Sequence, residues 1–154
     1  MDTFGRAFAR FIQKENEMNK RTLPIFLAII ALMVASLACS LGGELGLSNA
    51  RMAFDEDGER PTSVFAPNDA VYVVADLANA PVGTVVVSKW YAVSVEGVDP
   101  NTLIDEADIN IVEEGFTGTV HFFFPAGSDW PAGTYTVELY LNGTLIEAVN
   151  YSVQ

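Results

Sequence analysis

Gly133-Thr134-Tyr135-Thr136-Val137-Glu138-Leu139-Tyr140-Leu141-Asn142-Gly143-Thr144 is the stretch whose reading decides the fold. Tyr135, Val137, Leu139 and Leu141 alternate with Thr134, Thr136 and Glu138. A period of two puts the first set on one face of a strand and the second on the other. Asn142-Gly143 then separates two β-prone runs. A two-residue type I′ turn needs positive φ at both central positions, and Asn-Gly adopts them readily. Thr134–Leu141 and Thr144–Val153 are therefore expected as a hairpin.

The same pattern extends toward the N-terminus. Asn49–Phe54, Thr62–Phe65, Ala70–Leu77, Thr84–Val93, Ile109–Val112 and Thr117–Phe124 are short β-prone runs. Turn residues separate them, among them Asp55-Glu56-Asp57-Gly58, Ala66-Pro67-Asn68-Asp69 and Asp99-Pro100-Asn101. Val71, Val73, Ala75 and Leu77 share one face, as do Val120, Phe122 and Phe124. About seven strands with frequent turns predict an all-β antiparallel sandwich over residues 49–154.

Ala132-Gly133-Thr134-Tyr135-Thr136-Val137 resembles the corner that opens strand F of immunoglobulin-like and fibronectin-like domains. The resemblance covers about residues 49–153. It implies that the Tyr135 hydroxyl bonds back to nearby backbone. It gives Val137 the position often held by cysteine, and Trp90 the place of the strand C tryptophan. Val137 is then expected to face Trp90 across the two sheets, with Val73 as its inter-sheet partner. The missing cysteine pair sets the chain apart from antibody-type domains and fits disulfide-free bacterial modules.

Cys39 is the only cysteine. Asn19-Lys20-Arg21 precede an uncharged run from Leu23 to Ala38, and Ser36-Leu37-Ala38-Cys39-Ser40 closes it. A charged region, an apolar region and a small-residue exit together make a secretory signal. A cysteine at the exit resembles the lipobox of bacterial lipoproteins, although Ser36 and Leu37 stand in the reverse of the usual order. The resemblance implies cleavage after Ala38 and a lipid on Cys39, which would hold the protein to a membrane. Residues 1–38 then form a signal peptide, with Met18 as an alternative start. Residues 39–48 form the lipidated cysteine and its tether. The run Leu23–Ala38 has 16 residues, short of the roughly 20 that a spanning helix needs. A retained single span is the alternative. Phe4, Ala7, Phe8, Phe11 and Ile12 fall at helical spacing, which suits either an interfacial helix or an untranslated leader.

Charge divides at the cysteine. Residues 1–39 hold five cations against three carboxylates, a net of +2. Residues 40–154 hold Arg51, Arg60 and Lys89 against 17 carboxylates, a net of −14. Basic before the apolar run and acidic after it suits a cytoplasmic start and an exported remainder. Such acidity repels phosphates, so no nucleic-acid partner is expected.

No catalytic constellation emerges. His121 is the only histidine, and its neighbours Val120 and Phe122 point to the other face. Asp55-Glu56-Asp57-Gly58-Glu59 and Asp105-Glu106-Ala107-Asp108 lack EF-hand spacing and read as acidic turns, so no metal and no cofactor is expected. Trp130 either covers the open end of the core or stands on a recognition loop. Asn142-Gly143-Thr144 and Asn150-Tyr151-Ser152 match the glycosylation pattern by chance in a bacterial setting. The expected function is a non-enzymatic binding or adhesion module for a protein or glycan ligand. It sits on the extracytoplasmic face of a bacterial cell envelope. An accessory subunit of an envelope complex is the rival, and a small hydrolase the weakest reading.

Overall fold

The computed structural model describes residues 43–154. The readings that fall on the apolar segment, on Cys39 and on residues 1–17 lie outside the described residues. Eight strands follow one another: β1 (Gly46–Ala53), β2 (Val64–Phe65), β3 (Val71–Ala80), β4 (Val85–Val95), β5 (Thr102–Asn110), β6 (Phe116–Phe124), β7 (Gly133–Leu141) and β8 (Thr144–Val153). They form a three-stranded sheet, β1-β3-β6, and a five-stranded sheet, β2-β8-β7-β4-β5. β2 pairs with β8 in parallel, and the other pairings are antiparallel. Met52, Val71, Val73, Leu77, Val120 and Phe122 come from one sheet, and Val86, Trp90, Val137, Leu139, Tyr151 and Val153 from the other. They make one apolar core between the layers, as a sandwich requires.

The β7–β8 hairpin forms as its residues dictate. Asn142 has φ 49° and Gly143 φ 81°. The turn is also fastened to β4: the Val85 amide donates to Asn142 Oδ1 and the Asn142 amide to the Val85 carbonyl, each at 2.9 Å. Gly133 opens β7 where no side chain fits. A Cβ there would meet the Ser94 carbonyl oxygen at 2.5 Å and Val95 Cγ2 at 2.8 Å.

The fold departs from the sequence reading in three places. β1 opens at Gly46 rather than Asn49, so the stretch read as tether is partly strand. Leu47 packs into the core, and a bulge at Ser48/Arg51 with Asn49 at φ 56° bends the strand. Next, Thr102–Asn110 is a long edge strand, where an irregular region and a short strand at Ile109–Val112 were expected. Its acidic residues have low strand propensity, and pairing with β4 outweighs that. Finally, Trp90 and Val137 do not face each other across the sandwich. They are register partners on adjacent strands of one sheet, side by side on its inner face. Val73, in contrast, does lie in the opposite sheet and in the same core.

Candidate functional site

The strand directions sort the loops to two ends. Gly43-Glu44-Leu45 enter beside the connections 81–84, 111–115 and 142–143. Loops 54–63, 66–70, 96–101 and 125–132 gather at the opposite end. That opposite end carries Asp55, Glu56, Asp57, Glu59, Asp69, Glu96, Asp99 and Asp129. Its one cation, Arg60, pairs with Asp55 at 3.1 Å. The other cations of the described residues are paired too: Arg51 with Asp76 at 3.3 Å and Lys89 with Glu106 at 3.1 Å.

Between these acidic loops opens an apolar hollow of about 310 Å³. Val95, Val98, Ile104, Phe124, Trp130 and Tyr135 are among the side chains that line it. Val98 and Ile104 are each 39 % exposed. The register shift in β5 opposite Trp90/Tyr91 leaves Ile104 as the extra residue on its strand. This site was hidden in the sequence. Its one trace is the pair of apolar residues bracketing the turn Asp99-Pro100-Asn101, where a solvated loop would be polar.

Trp130 is 6 % exposed and lies within the end of the core. It meets Phe124 edge-on at 4.8 Å and Tyr135 edge-on at 5.1 Å between centroids. Its backbone amide donates to the Pro67 carbonyl at 2.8 Å, and the Gly127 amide donates to the Asn68 carbonyl at 2.9 Å. Two loops are thereby pinned together, and Trp130 serves as cover rather than as an exposed recognition aromatic. A ligand reaches its ring only through the hollow.

Tyr135 stacks on Tyr151 at 5.1 Å, and its hydroxyl donates to the Pro131 carbonyl at 2.6 Å. This backbone bond lies where the corner resemblance puts it. Burial pushes the Tyr135 hydroxyl up from its ordinary pKa, and burial does the same, more strongly, to Tyr151. The Ser128 hydroxyl donates to the Pro125 carbonyl at 2.6 Å. The two hydroxyls lining the hollow are thus each engaged with backbone, whereas the buried Trp130 indole N–H has no hydrogen-bond partner.

The remaining candidates are scattered. His121 lies on the outer face of β6, with ring centroids 5.9 Å from Tyr72 and 6.2 Å from Phe123. Asp55 accepts from the Glu59 amide at 2.8 Å and pairs with Arg60, which fixes its loop. Asp105, Glu106 and Asp108 sit on strand β5 rather than in a turn. Among the described residues no three metal-ligating side chains converge.

No protein-family model matches the chain, and no curated protein matches it. Solved structures show partial likeness. The alkylpurine DNA glycosylase AlkC of Pseudomonas fluorescens aligns with a TM-score of 0.45 at 12 % identity, over 74 % of this chain and 31 % of that one. A β-glucosidase from Listeria innocua gives 0.46 at 13 % identity, over 72 % and 16 %. The β-glucosidase EmGH1 of Erythrobacter marinus gives 0.47 at 13 % identity, over 72 % and 15 %. The chain spans less than a third of each of these proteins, and nothing about activity follows from the likeness.

Proposed function

We propose that this chain is an exported lipoprotein whose immunoglobulin-like or fibronectin-like sandwich is a non-enzymatic binding module. It is held at Cys39 to the extracytoplasmic face of a bacterial membrane and engages a protein or glycan ligand. Strand order supports the fold assignment. With β1 and β2 as A and A′, β3 to β5 as B, C and C′, and β6 to β8 as E, F and G, the sheets read A-B-E and A′-G-F-C-C′. The Tyr135 bond supports it further.

One observation carries the binding reading. The apolar hollow opens among acidic loops at the end of the sandwich opposite to where Gly43 enters. Val98 and Ile104 are exposed there, so a partner can reach apolar side chains at that end. Hydrolysis has less support, because both hydroxyls lining the hollow are bonded to carbonyls and no carboxylate or histidine is among the lining residues.

Two measurements test the proposal. Intact-mass analysis should give a chain beginning at Cys39 with added acyl mass, and Cys39→Ala should abolish it. An unmodified chain still carrying residues 18–38 would instead favour the single-span anchor. Photo-cross-linking from position 98 on living cells should give a discrete adduct that Ile104→Glu removes. Absence of any adduct from position 98 would sink the recognition role of this end.

A further inference from the structure

From Gly118 to Phe124, β6 lacks the features that keep other free sheet edges from pairing. Natural sheets blunt their edges with charge, proline, bulges or brevity. β2 is two residues long. β1 is broken by its bulge at Ser48/Arg51. β5 has the bulge opposite Trp90/Tyr91 and carries Asp105, Glu106 and Asp108. β6 is Phe116-Thr117-Gly118-Thr119-Val120-His121-Phe122-Phe123-Phe124, with no Asp, Glu, Lys, Arg or Pro. Its register with β3 is unbroken from Val71↔Phe124 to Leu77↔Gly118 and shifts only beyond that, between Leu77 and Ala80 toward the Phe116 end. Its other side has no partner strand in the sheet. Alternate N–H and C=O groups there are placed to receive an added strand.

Both ends of this edge adjoin hollows, one walled by apolar side chains and one of mixed lining that includes Glu113 and His121. The one already described touches Phe124 and reaches Ile104 on β5. A second, of about 350 Å³, touches Phe116 and Val120 and reaches Ile109. The sandwich is thus incompletely closed between β5 and β6. A strand laid along β6 would turn every second side chain toward these hollows. Its other side chains would lie on the outer face, beside the half-exposed Phe123 ring stacked on Tyr72.

Charge selects the occupant. Residues 90–154 contain ten carboxylates and no lysine or arginine. Asp105, Asp108 and Glu113 lie on or next to this open side. A second copy would bring the same carboxylates against themselves, so self-pairing is opposed. Lysine or arginine meets attraction instead, both from this field and from the face of an exposed aromatic ring.

The geometry points to β6 as a strand-addition site for an extended basic segment of another protein, with apolar residues alternating with lysine or arginine. This deepens the binding-module reading by naming a partner class, and it fails separately from it, since an adduct at position 98 does not require strand addition. The test uses the full chain in detergent micelles and a peptide matched to the nine residues of β6, alternating valine and lysine. Saturable binding is expected, with amide exchange over residues 116–124 slowed at least about tenfold and that of residues 102–110 unchanged. The same peptide methylated on its backbone nitrogens keeps its charge and side chains, and should bind at least about tenfold more weakly. A glutamate-for-lysine peptide should not bind. Thr119→Lys, on an exposed position of β6, should weaken binding about threefold or more. Equal binding of the methylated peptide, unchanged exchange over residues 116–124, or protection of that stretch by self-association alone would each overturn the inference.

Discussion

Replacing Tyr135 by Phe isolates one hydrogen bond in an otherwise unchanged core. The ring is 2 % exposed, stacked on Tyr151 and edge-on to Trp130, and phenylalanine keeps all of that packing. What disappears is the 2.6 Å bond from the hydroxyl to the Pro131 carbonyl. An intramolecular hydrogen bond contributes about 0.5–1.5 kcal/mol net, and a fully buried orphan acceptor raises the loss to about 3. Pro131 is itself exposed, so water can reach its carbonyl and the lower range applies. The expected loss is about 1 kcal/mol, or roughly 4 °C in Tm for a domain of this size. Urea unfolding with an unchanged m-value is the assay. Tyr135→Ala, which also removes the ring, should cost about 3–5 kcal/mol. If Tyr135→Phe unfolded at the wild-type midpoint, the corner bond would contribute nothing. The Tyr135 hydroxyl would then lend no support to an immunoglobulin-like corner.

Further outcomes follow from the same geometry. Val137→Ala should cost about 2–3 kcal/mol, because it opens a cavity in a fully buried site. Thr136→Ala loses only a 3.3 Å bond to the Val149 carbonyl and should cost less; the reverse order in urea midpoints would mean the strand faces the other way. Gly133→Ala should destabilise by about 1–3 kcal/mol or prevent folding, since its Cβ meets the Ser94 backbone, and a wild-type melting curve would contradict the close approach. The Asn49 side-chain amide, and then Arg51, hold the Asp76 carboxyl below its ordinary pKa despite partial desolvation. A depressed folded pKa contributes stability that is present above the unfolded value and lost as pH falls through the folded one. Asp76→Asn should therefore flatten the acid limb of stability against pH by under about 1 kcal/mol, since the pair is half-exposed. The Tyr140 hydroxyl donates to Glu138 at 2.6 Å, which pushes its pKa up to about 12. NMR titration of the tyrosine rings should show Glu138→Ala bringing it back toward the ordinary value.

Some of this protein was legible residue by residue. The hairpin rests on Asn142-Gly143, whose backbone freedom is local and independent of the rest of the fold. The inward face of β7 rests on alternation alone, and Tyr135, Val137, Leu139 and Leu141 are all buried. The corner bond spans four residues, so a short motif could encode it. The same holds for the inward faces of β3 and β6, where apolar residues recur every second position.

The rest depended on partners distant in the chain. Thr102–Asn110 is a strand because β4 supplies its hydrogen bonds, and the acidic residues themselves would not have chosen it. Gly46-Leu47-Ser48 has the composition of a tether and becomes strand by pairing with β3. Trp90 and Val137 belong to one sheet because β4 lies beside β7, a neighbour relation that no local pattern contains. The hollow joins Ile104 to Phe124 and Trp130, and the bare edge of β6 is bare only because the sheet ends there. Alternation and turn chemistry act over a few residues, so the sequence alone determined which side chains point inward and where the chain turns. Sheet order and edges come from long-range pairing, so only the tertiary structure decided which surfaces remain open to a partner.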